Sequence, residues 1–176
     1  MFKSSGMPNS NLAQQGWEFR QLLQYVKGAK SILEIGSRHG ETLIRFALVA
    51  DHKARIVSLD SNAEGTHEYF AFNANALSNY DFHAIIADSH NPETVEVVRN
   101  LGPYDFCFID GDHTYEGVKA DYENYGPMAN IIAFHDIDLD GVRDFWNQTR
   151  RSLPMMEFVH SSSKGQMGIG VLIKNV

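Results

Sequence analysis

Ionisable side chains follow two apolar runs of the sequence, at points where buried strands would end. Asp110, Asp112 and His113 come directly after YDFCFI, and His135 and Asp136 end the segment NIIAFHD. If the two runs are neighbouring parallel strands, their carboxyl ends lie at one sheet edge, and Asp110, His135 and Asp136 converge in one pocket. Two carboxylates and one imidazole suit a divalent ion such as Mg²⁺ or Mn²⁺, with positions left for water and substrate oxygens. The pattern therefore predicts a metal site.

Other roles are open to the same side chains. Asp110 and Asp136 could each cap a following helix, and Asp112 is interpreted as the N-cap of the helical segment TYEGVKADYENY. His113 is the first candidate for a general base, because imidazole titrates near neutral pH. It is explained equally well as a residue at the helix start that bonds to the backbone. The catalytic candidates are therefore His113 and Asp110.

A glycine turn follows the first apolar run. In LEIGSRHGETL, Glu34, Gly36 and Gly40 form the pattern E-x-G-x-x-x-G before a helix, and glycines allow a tight turn close to a ligand. Asp60 ends the next run, about 20 residues further on, where an acid can accept hydrogen bonds from ribose hydroxyls. Its charge disfavours a ribose carrying a phosphate. The turn and the acid together indicate a nucleoside-containing cofactor; the alternative is that Asp60 caps a helix.

The elements that would position these side chains alternate along the chain. One helix is predicted in SNLAQQGWEFRQLLQYVKGAK, and from Ser31 onward short apolar runs alternate with helical patterns, among them HEYFAFNANALS. Such runs, joined by helical crossovers, predict a parallel sheet with helices on both sides. The last segment, MEFVHSSSKGQMGIGVLIKNV, predicts an antiparallel pair of strands at one sheet edge. We expect a single domain over 1–176, with 1–30 as an N-terminal helical segment and 31–176 as the core.

The amino-acid composition indicates which class of partner the protein binds. The 176 residues include 15 Lys and Arg against 22 Asp and Glu, for a formal net charge of -7. This balance argues against a broad basic face for nucleic acid or an anionic membrane and favours a small-molecule partner. The lone Cys107 lies between Phe106 and Phe108, as a buried thiol would. The sequence has no apolar run of about 18 residues and no signal-peptide core, so we expect a cytoplasmic protein.

Several segments carry a resemblance to a known family. LEIGSRHGETL, IVSLD, DFCFIDGDHTYEGVKADYENYGPM, IIAFHDID, GVRDFW and GIGVLIKN resemble class I S-adenosylmethionine-dependent methyltransferases. The similarity is to the small-molecule O-methyltransferase branch that contains the cephalosporin-hydroxylase-like and macrocin-type enzymes. It implies an α/β, Rossmann-like, doubly wound seven-stranded sheet, mostly parallel with the last strand antiparallel. This agrees with the strand pattern described above.

The resemblance also implies a set of site residues. The methionine part of S-adenosylmethionine would lie against Glu34 and the turn from Gly36 to Gly40, the ribose against Asp60, and the adenine against Asp88 and Ser89. Arg38 is the better candidate than His39 for pairing with the cofactor carboxylate, since a guanidinium can do so in bidentate fashion. The metal positions of the family fall on Asp110, His135 and Asp136. The predicted cofactor-binding residues are Glu34, Gly36, Ser37, Arg38, Gly40, Asp60, Asp88, Ser89 and Asp110.

Three functions remain open at this point. The leading hypothesis is metal-assisted methyl transfer to a hydroxyl of a small molecule such as a sugar, a polyketide or a catechol-like ring. The second is a non-haem iron oxygenase that uses His113, His135 and an acid, which the element order disfavours because it predicts no β-barrel. The third is a non-catalytic protein that binds S-adenosylmethionine. The short segment before the first strand implies an open site, a lid from a partner subunit of a homo-oligomer, or a large acceptor, and the sequence does not choose among the three.

Other conspicuous residues are interpreted structurally. Phe145 and Trp146 are predicted to pack the last helix onto the sheet. His52, His67 and His90 are expected to be solvated, and Tyr115 to close a helix against the strand below it.

Overall fold

The computed structural model describes residues 16–61, 74–159 and 168–174. The helices are α1 (Gly16–Val26), α2 (Glu41–Val49), α3 (Pro92–Leu101), α4 (Tyr115–Tyr125) and α5 (Asp140–Thr149), with a short 3-10 turn at Gly126–Met128. The strands are β1 (Ser31–Ile35), β2 (Arg55–Asp60), β3 (Asp81–Ile86), β4 (Tyr104–Ile109), β5 (Ala129–His135), β6 (Met155–Phe158) and β7 (Ile169–Ile173).

The strands form one sheet in the order β3-β2-β1-β4-β5-β7-β6. The first five strands along the chain pair in parallel, whereas β7 runs antiparallel to both β5 and β6. The predicted doubly wound sheet, mostly parallel with its last strand antiparallel, is therefore confirmed. Strand order reverses between β1 and β4, and in open sheets of this kind ligands bind beyond the carboxyl ends of the strands at that reversal.

Alternation of side chains along β4 builds a core on each face of the sheet. Phe106 and Phe108 join the cluster beneath α1 and α2, where Phe46 packs against both rings. Cys107 and Ile109 point to the opposite face, which α3, α4 and α5 cover. Such continuous apolar runs are what a strand buried on both faces requires. The predicted burial of Cys107 is confirmed.

Local sequence signals set where two of these helices begin. Asn91 caps α3 by accepting the backbone N–H of Glu93, with Pro92 as the first residue of the helix. Thr114 caps α4 by accepting the N–H of Gly117, so the prediction of Asp112 as the cap was wrong. Asp112 instead accepts the N–H of Thr114 and shapes the turn before the helix.

Parts of the predicted elements lie outside the described residues. These are the start of the N-terminal helix before Gly16, most of the segment HEYFAFNANALS with His67, and the loop that joins the last two strands. Among the helices that the structure describes, none is both long enough and apolar enough to cross a membrane.

Candidate active site

Two histidines and two aspartates meet where β4 and β5 end. Nε2 of His113 lies 3.2 Å from Asp110 Oδ1 and 3.7 Å from Asp136 Oδ2. Nδ1 of His135 lies 3.1 Å from the same Asp110 oxygen and 3.4 Å from the same Asp136 oxygen. Each imidazole therefore bridges the two carboxylates. The convergence predicted for Asp110, His135 and Asp136 follows from the parallel pairing of β4 and β5.

The two histidines differ in their access to solvent. The His113 side chain is 39% exposed and the His135 side chain 2%. One ligand atom each from Asp110, His113 and Asp136 lies within 4.8 Å of the other two. The sequence prediction placed His135 in the metal set and His113 outside it as a base. In this group His113 lies on the open side, while His135, the ligand predicted from the sequence, lies beneath the carboxylates at 3.1 and 3.4 Å from them.

The electrostatics follow from this packing. Burial alone would lower the pKa of His135, but the Asp110 and Asp136 carboxylates outweigh it and raise that pKa to about 10. Burial acts to raise the pKa of Asp110, yet the two imidazoles hold it below its ordinary value. The hydrogen bond to Asp110 raises the pKa of His113. A cationic imidazole beneath the acids stabilises two carboxylates that would otherwise repel each other.

Backbone geometry fixes this arrangement from two sides. Asp136 has a φ of 56°, in the left-handed region that costs most residues energy and that occurs frequently at functional sites. The residues Asp110, Gly111 and Asp112 form a turn after β4, the D-G-D turn. The first turn of α5 packs directly on the segment that follows it. A Cβ at Gly141 would lie 2.5 Å from the backbone oxygen of His113. Asp110 and Asp136 do not cap helices, since Thr114 and Leu139 hold the N-cap positions of α4 and α5.

The glycine turn after β1 lies against the same D-G-D segment. Gly36 has a φ of 85°, and a Cβ there would lie 2.1 Å from the backbone oxygen of Asp110. The N–H of Gly36 donates to the carbonyl of Leu59, and the N–H of Asp110 donates to that of Ile35. A side chain at Gly36 is therefore excluded both by conformation and by space. The turns after β1 and β4 are therefore packed backbone against backbone.

Asp60 and Arg38 join the second strand to this turn. The backbone N–H of Arg38, whose φ is 44°, donates to Asp60 Oδ2 at 2.7 Å. Glu34 is buried beneath the turn, and its pKa is raised to about 8 by burial, in spite of a hydrogen bond with Ser37. Gly40 lies in the left-handed region at the start of α2. The structure thus brings the predicted residues of the first two strand ends into one crevice with Asp110.

Asp88 and Ser89 follow β3, on the far side of β2 from Asp110. Asp88 Oδ1 accepts the N–H of His90, and the carbonyl of Ser89 accepts the hydroxyl of Tyr125 on α4. His90 is exposed, as predicted, but its Nε2 also lies 3.2 Å from Oδ1 of the fully buried Asp121. Sequence reasoning missed Asp121. An acid within the apolar stripe of α4, between Val118 and Tyr125, is the signal that could have revealed it.

Of the three aromatic residues that were interpreted structurally, two pack as predicted and one does not. Phe145 and Trp146 are buried against the sheet, as predicted. The ring of Tyr115 packs edge-on against Phe145, and its hydroxyl donates to Gln148 of α5. Tyr115 therefore closes α4 against α5 rather than against the strand below it.

This sheet, with a glycine turn, Asp60 and the acid–imidazole cluster of Asp110, His113, His135 and Asp136 at its strand ends, defines a class I methyltransferase fold. Residues 33–137, well over half of the chain, match a family whose description is methyltransferase domain. The chain belongs to this methyltransferase family.

Solved structures share the fold at low sequence identity. An O-methyltransferase from Bacillus cereus in complex with SAH is 20% identical, with a TM-score of 0.67 over 95% of this chain and 84% of that one. The O-methyltransferase TomG from Streptomyces achromogenes, in complex with SAM, is 18% identical, with a TM-score of 0.66 over 94% of this chain and 83% of that one.

A curated relative is much longer than this chain. The sequence is 24% identical, over an alignment of 177 positions, to uncharacterized protein y4gI of Sinorhizobium fredii. The alignment covers 88% of this chain and 18% of that protein, so the chain spans a small part of its length.

Proposed function

We propose that this methyltransferase transfers the methyl group of S-adenosylmethionine to a hydroxyl of a small molecule, assisted by a divalent ion held by Asp110, His113 and Asp136. The observation that carries the proposal is the convergence of these three side chains, with ligand atoms within 4.8 Å of one another. The O-methyltransferases that share the fold support the choice of a hydroxyl acceptor.

The residues present fit Mg²⁺ or Mn²⁺. Two carboxylates and one imidazole form a donor set with open positions for acceptor oxygens. Oδ1 of Asp136 is buried and has no hydrogen-bond partner among the described residues, as expected of an atom that faces an ion. When bound there, a divalent ion supplies a Lewis acid that lowers the pKa of an acceptor hydroxyl.

The other side chains of the site hold the reactants. His135 lies beneath Asp110 and Asp136 and orients both carboxylates toward the open side through its Nδ1. Asp60 accepts hydrogen bonds from the ribose hydroxyls, while the turn at Gly36 admits the methionine part close to the backbone. Arg38 pairs with the cofactor carboxylate, and Asp88 with Ser89 receives the adenine. Methyl transfer requires little beyond this alignment of the two reactants.

A second candidate mechanism uses no ion. His113 is the more exposed imidazole, and its contact with Asp110 at 3.2 Å is that of a base oriented by an acid. In that mechanism Nε2 of His113 faces Asp110, and its Nδ1 accepts the proton of the acceptor hydroxyl while His135 keeps Asp110 ionised. Both mechanisms methylate a hydroxyl, and they differ in their response to chelation.

The net charge supports the choice of a small-molecule acceptor. A net charge of -7 leaves no general attraction for nucleic acid or an anionic membrane, which favours a small hydroxylated acceptor in the cytoplasm. Assembly into a homo-oligomer would supply a cover for the open side of His113.

The test is a methyl-transfer assay with labelled S-adenosylmethionine and a panel comprising a catechol, a sugar and a hydroxylated polyketide. We expect transfer that stops in excess EDTA, returns with Mg²⁺ or Mn²⁺, and is lost in Asp110→Asn. The exposed Asp144→Asn variant on α5 is the matched control and should retain full activity. Transfer that is equal in EDTA favours the base mechanism. Binding of S-adenosylhomocysteine without transfer to any acceptor would favour a non-catalytic binding protein.

A further inference from the structure

Asp121 is a fully buried carboxylate on the sheet-facing side of α4, outside the acid–imidazole cluster described above. Burying an ionisable group is unfavourable unless its surroundings compensate for the lost hydration. Burial raises the pKa of Asp121 to about 6, while Ser89 and His90 act in the opposite direction. A carboxyl group at this position therefore lowers the stability of the fold relative to an apolar residue.

One side of this carboxylate faces the loop after β3. Its Oδ1 atom lies 3.2 Å from Nε2 of His90, whose side chain is 34% exposed. The backbone N–H of His90 donates in turn to Asp88 Oδ1 at 2.9 Å. One turn further along α4, the hydroxyl of Tyr125 donates to the carbonyl of Ser89 at 2.6 Å. The three residues 88–90 are thus attached to α4 by two side chains on its buried face.

The other side of the carboxylate faces the D-G-D turn. A Cβ at Gly111 would lie 3.2 Å from Asp121 Oδ2, so this oxygen packs against Gly111 of the D-G-D turn. Asp121 is therefore in contact with two loops of the strand-end crevice, which come from β3 and β4. In the sheet these two strands are separated by β2 and β1.

We propose that Asp121 is a positioning residue that, with His90, sets the loop of Asp88 and Ser89 relative to the D-G-D turn and so determines the affinity for the cofactor. The inference rests on the proposed function, in which the loop of Asp88 and Ser89 receives the adenine and the D-G-D turn carries Asp110. A cofactor placed across both loops binds well when their separation is fixed beforehand, and it loses affinity when it must order them. Asp121 touches neither reactant and acts through His90 and Gly111.

The test is calorimetry of S-adenosylhomocysteine binding to the folded chain and its variants. Loss of the contact between the Asp121 carboxylate and His90 Nε2 predicts that Asp121→Asn weakens binding about tenfold, and that His90→Gln does so by a similar factor. Because the two residues act through one contact, the double variant should bind S-adenosylhomocysteine no more weakly than the single variant with the lower affinity. In turnover, KM for S-adenosylmethionine should rise while kcat stays within about twofold.

Glu123→Gln on the same helix is the matched control, since Glu123 is an exposed acid and its loss should leave affinity unchanged. If the role of Asp121 were structural alone, the folded Asp121→Asn and His90→Gln variants would bind like the parent, and the inference would be overturned. Should Asp121→Asn fail to fold, the half-exposed His90→Gln variant decides the matter by its affinity. Failure of the parent chain to bind S-adenosylhomocysteine would contradict the proposed function instead.

Discussion

Nδ1 of His135 lies 3.1 Å from Oδ1 of Asp110, although the His135 side chain is almost completely buried. The imidazole supplies the positive charge that two adjacent acids need, from beneath them, and leaves their other side open. The cluster is therefore held together by the protein itself, and a ligand adds to an arrangement that is already formed.

Removing the two histidines should have unequal effects on stability. His135→Ala leaves Asp110 and Asp136 without their buried partner and should lower the free energy of unfolding by about 2–3 kcal/mol. His113→Ala removes a more exposed partner and should cost less than about 1 kcal/mol. Urea unfolding measures both. Equal losses for the two variants would contradict the assignment of His135 as the supporting residue.

Glu34 should make the cofactor-free protein less stable as pH rises. Its pKa is about 8 in the folded protein against 4.5 in the unfolded chain, so the folded state keeps a proton that the unfolded state releases. Stability from this group is present below pH 4.5 and is lost as pH rises toward and through 8. Glu34→Gln should reduce that decline when thermal midpoints are compared across the interval. Glu123→Gln should keep the parent slope; if Glu34→Gln keeps it too, the carboxyl is not protonated in the folded state.

The turn after β1 should tolerate no side chain at its first glycine. Gly36→Ala places a Cβ against the Asp110 carbonyl in a left-handed conformation and should cost about 3 kcal/mol. Gly16→Ala is the control, because no atom lies within 4 Å of a Cβ there. Denaturant titration of both variants provides the comparison. A Gly36→Ala variant as stable as Gly16→Ala would show that the two turns do not pack as described.

Asp60 should discriminate between cofactors. Asp60→Ala should weaken S-adenosylhomocysteine binding by about 1–3 kcal/mol, because a charged acceptor for the ribose hydroxyls is lost. The parent should not bind NADPH, since the carboxylate repels a phosphate on the ribose. Calorimetry tests both statements, with the exposed Asp144→Ala as control. Tighter binding of NADPH than of S-adenosylhomocysteine by the parent would overturn this role.

The architecture could be predicted from the sequence because it depends on the periodicity of the apolar residues. Continuous apolar runs such as YDFCFI fit strands covered on both faces, and the helical patterns between them leave only parallel crossovers. The convergence of Asp110 with Asp136 followed directly, since it needs no more than two neighbouring strand ends.

Strand periodicity accounts for the position of His135 in the cluster but not for that of His113. His135 lies on the same face of β5 as Ala133, above the Phe108 ring, so two-residue alternation indicates its burial. The His113 side chain contacts Asp110 because the chain turns at Gly111 and because α5 packs closely on this segment at Gly141. Asp121 was missed because a single acid in a helix is usually solvated.

The proposed metal site is tested most directly by Mn²⁺ binding, followed by electron paramagnetic resonance in the presence of S-adenosylhomocysteine. We expect one bound ion per chain, lost in Asp110→Asn and in Asp136→Asn while S-adenosylhomocysteine affinity is retained, and preserved in the control Asp144→Asn. The proposed site is contradicted if the parent binds no ion, or if Asp110→Asn and Asp136→Asn bind Mn²⁺ as the parent does.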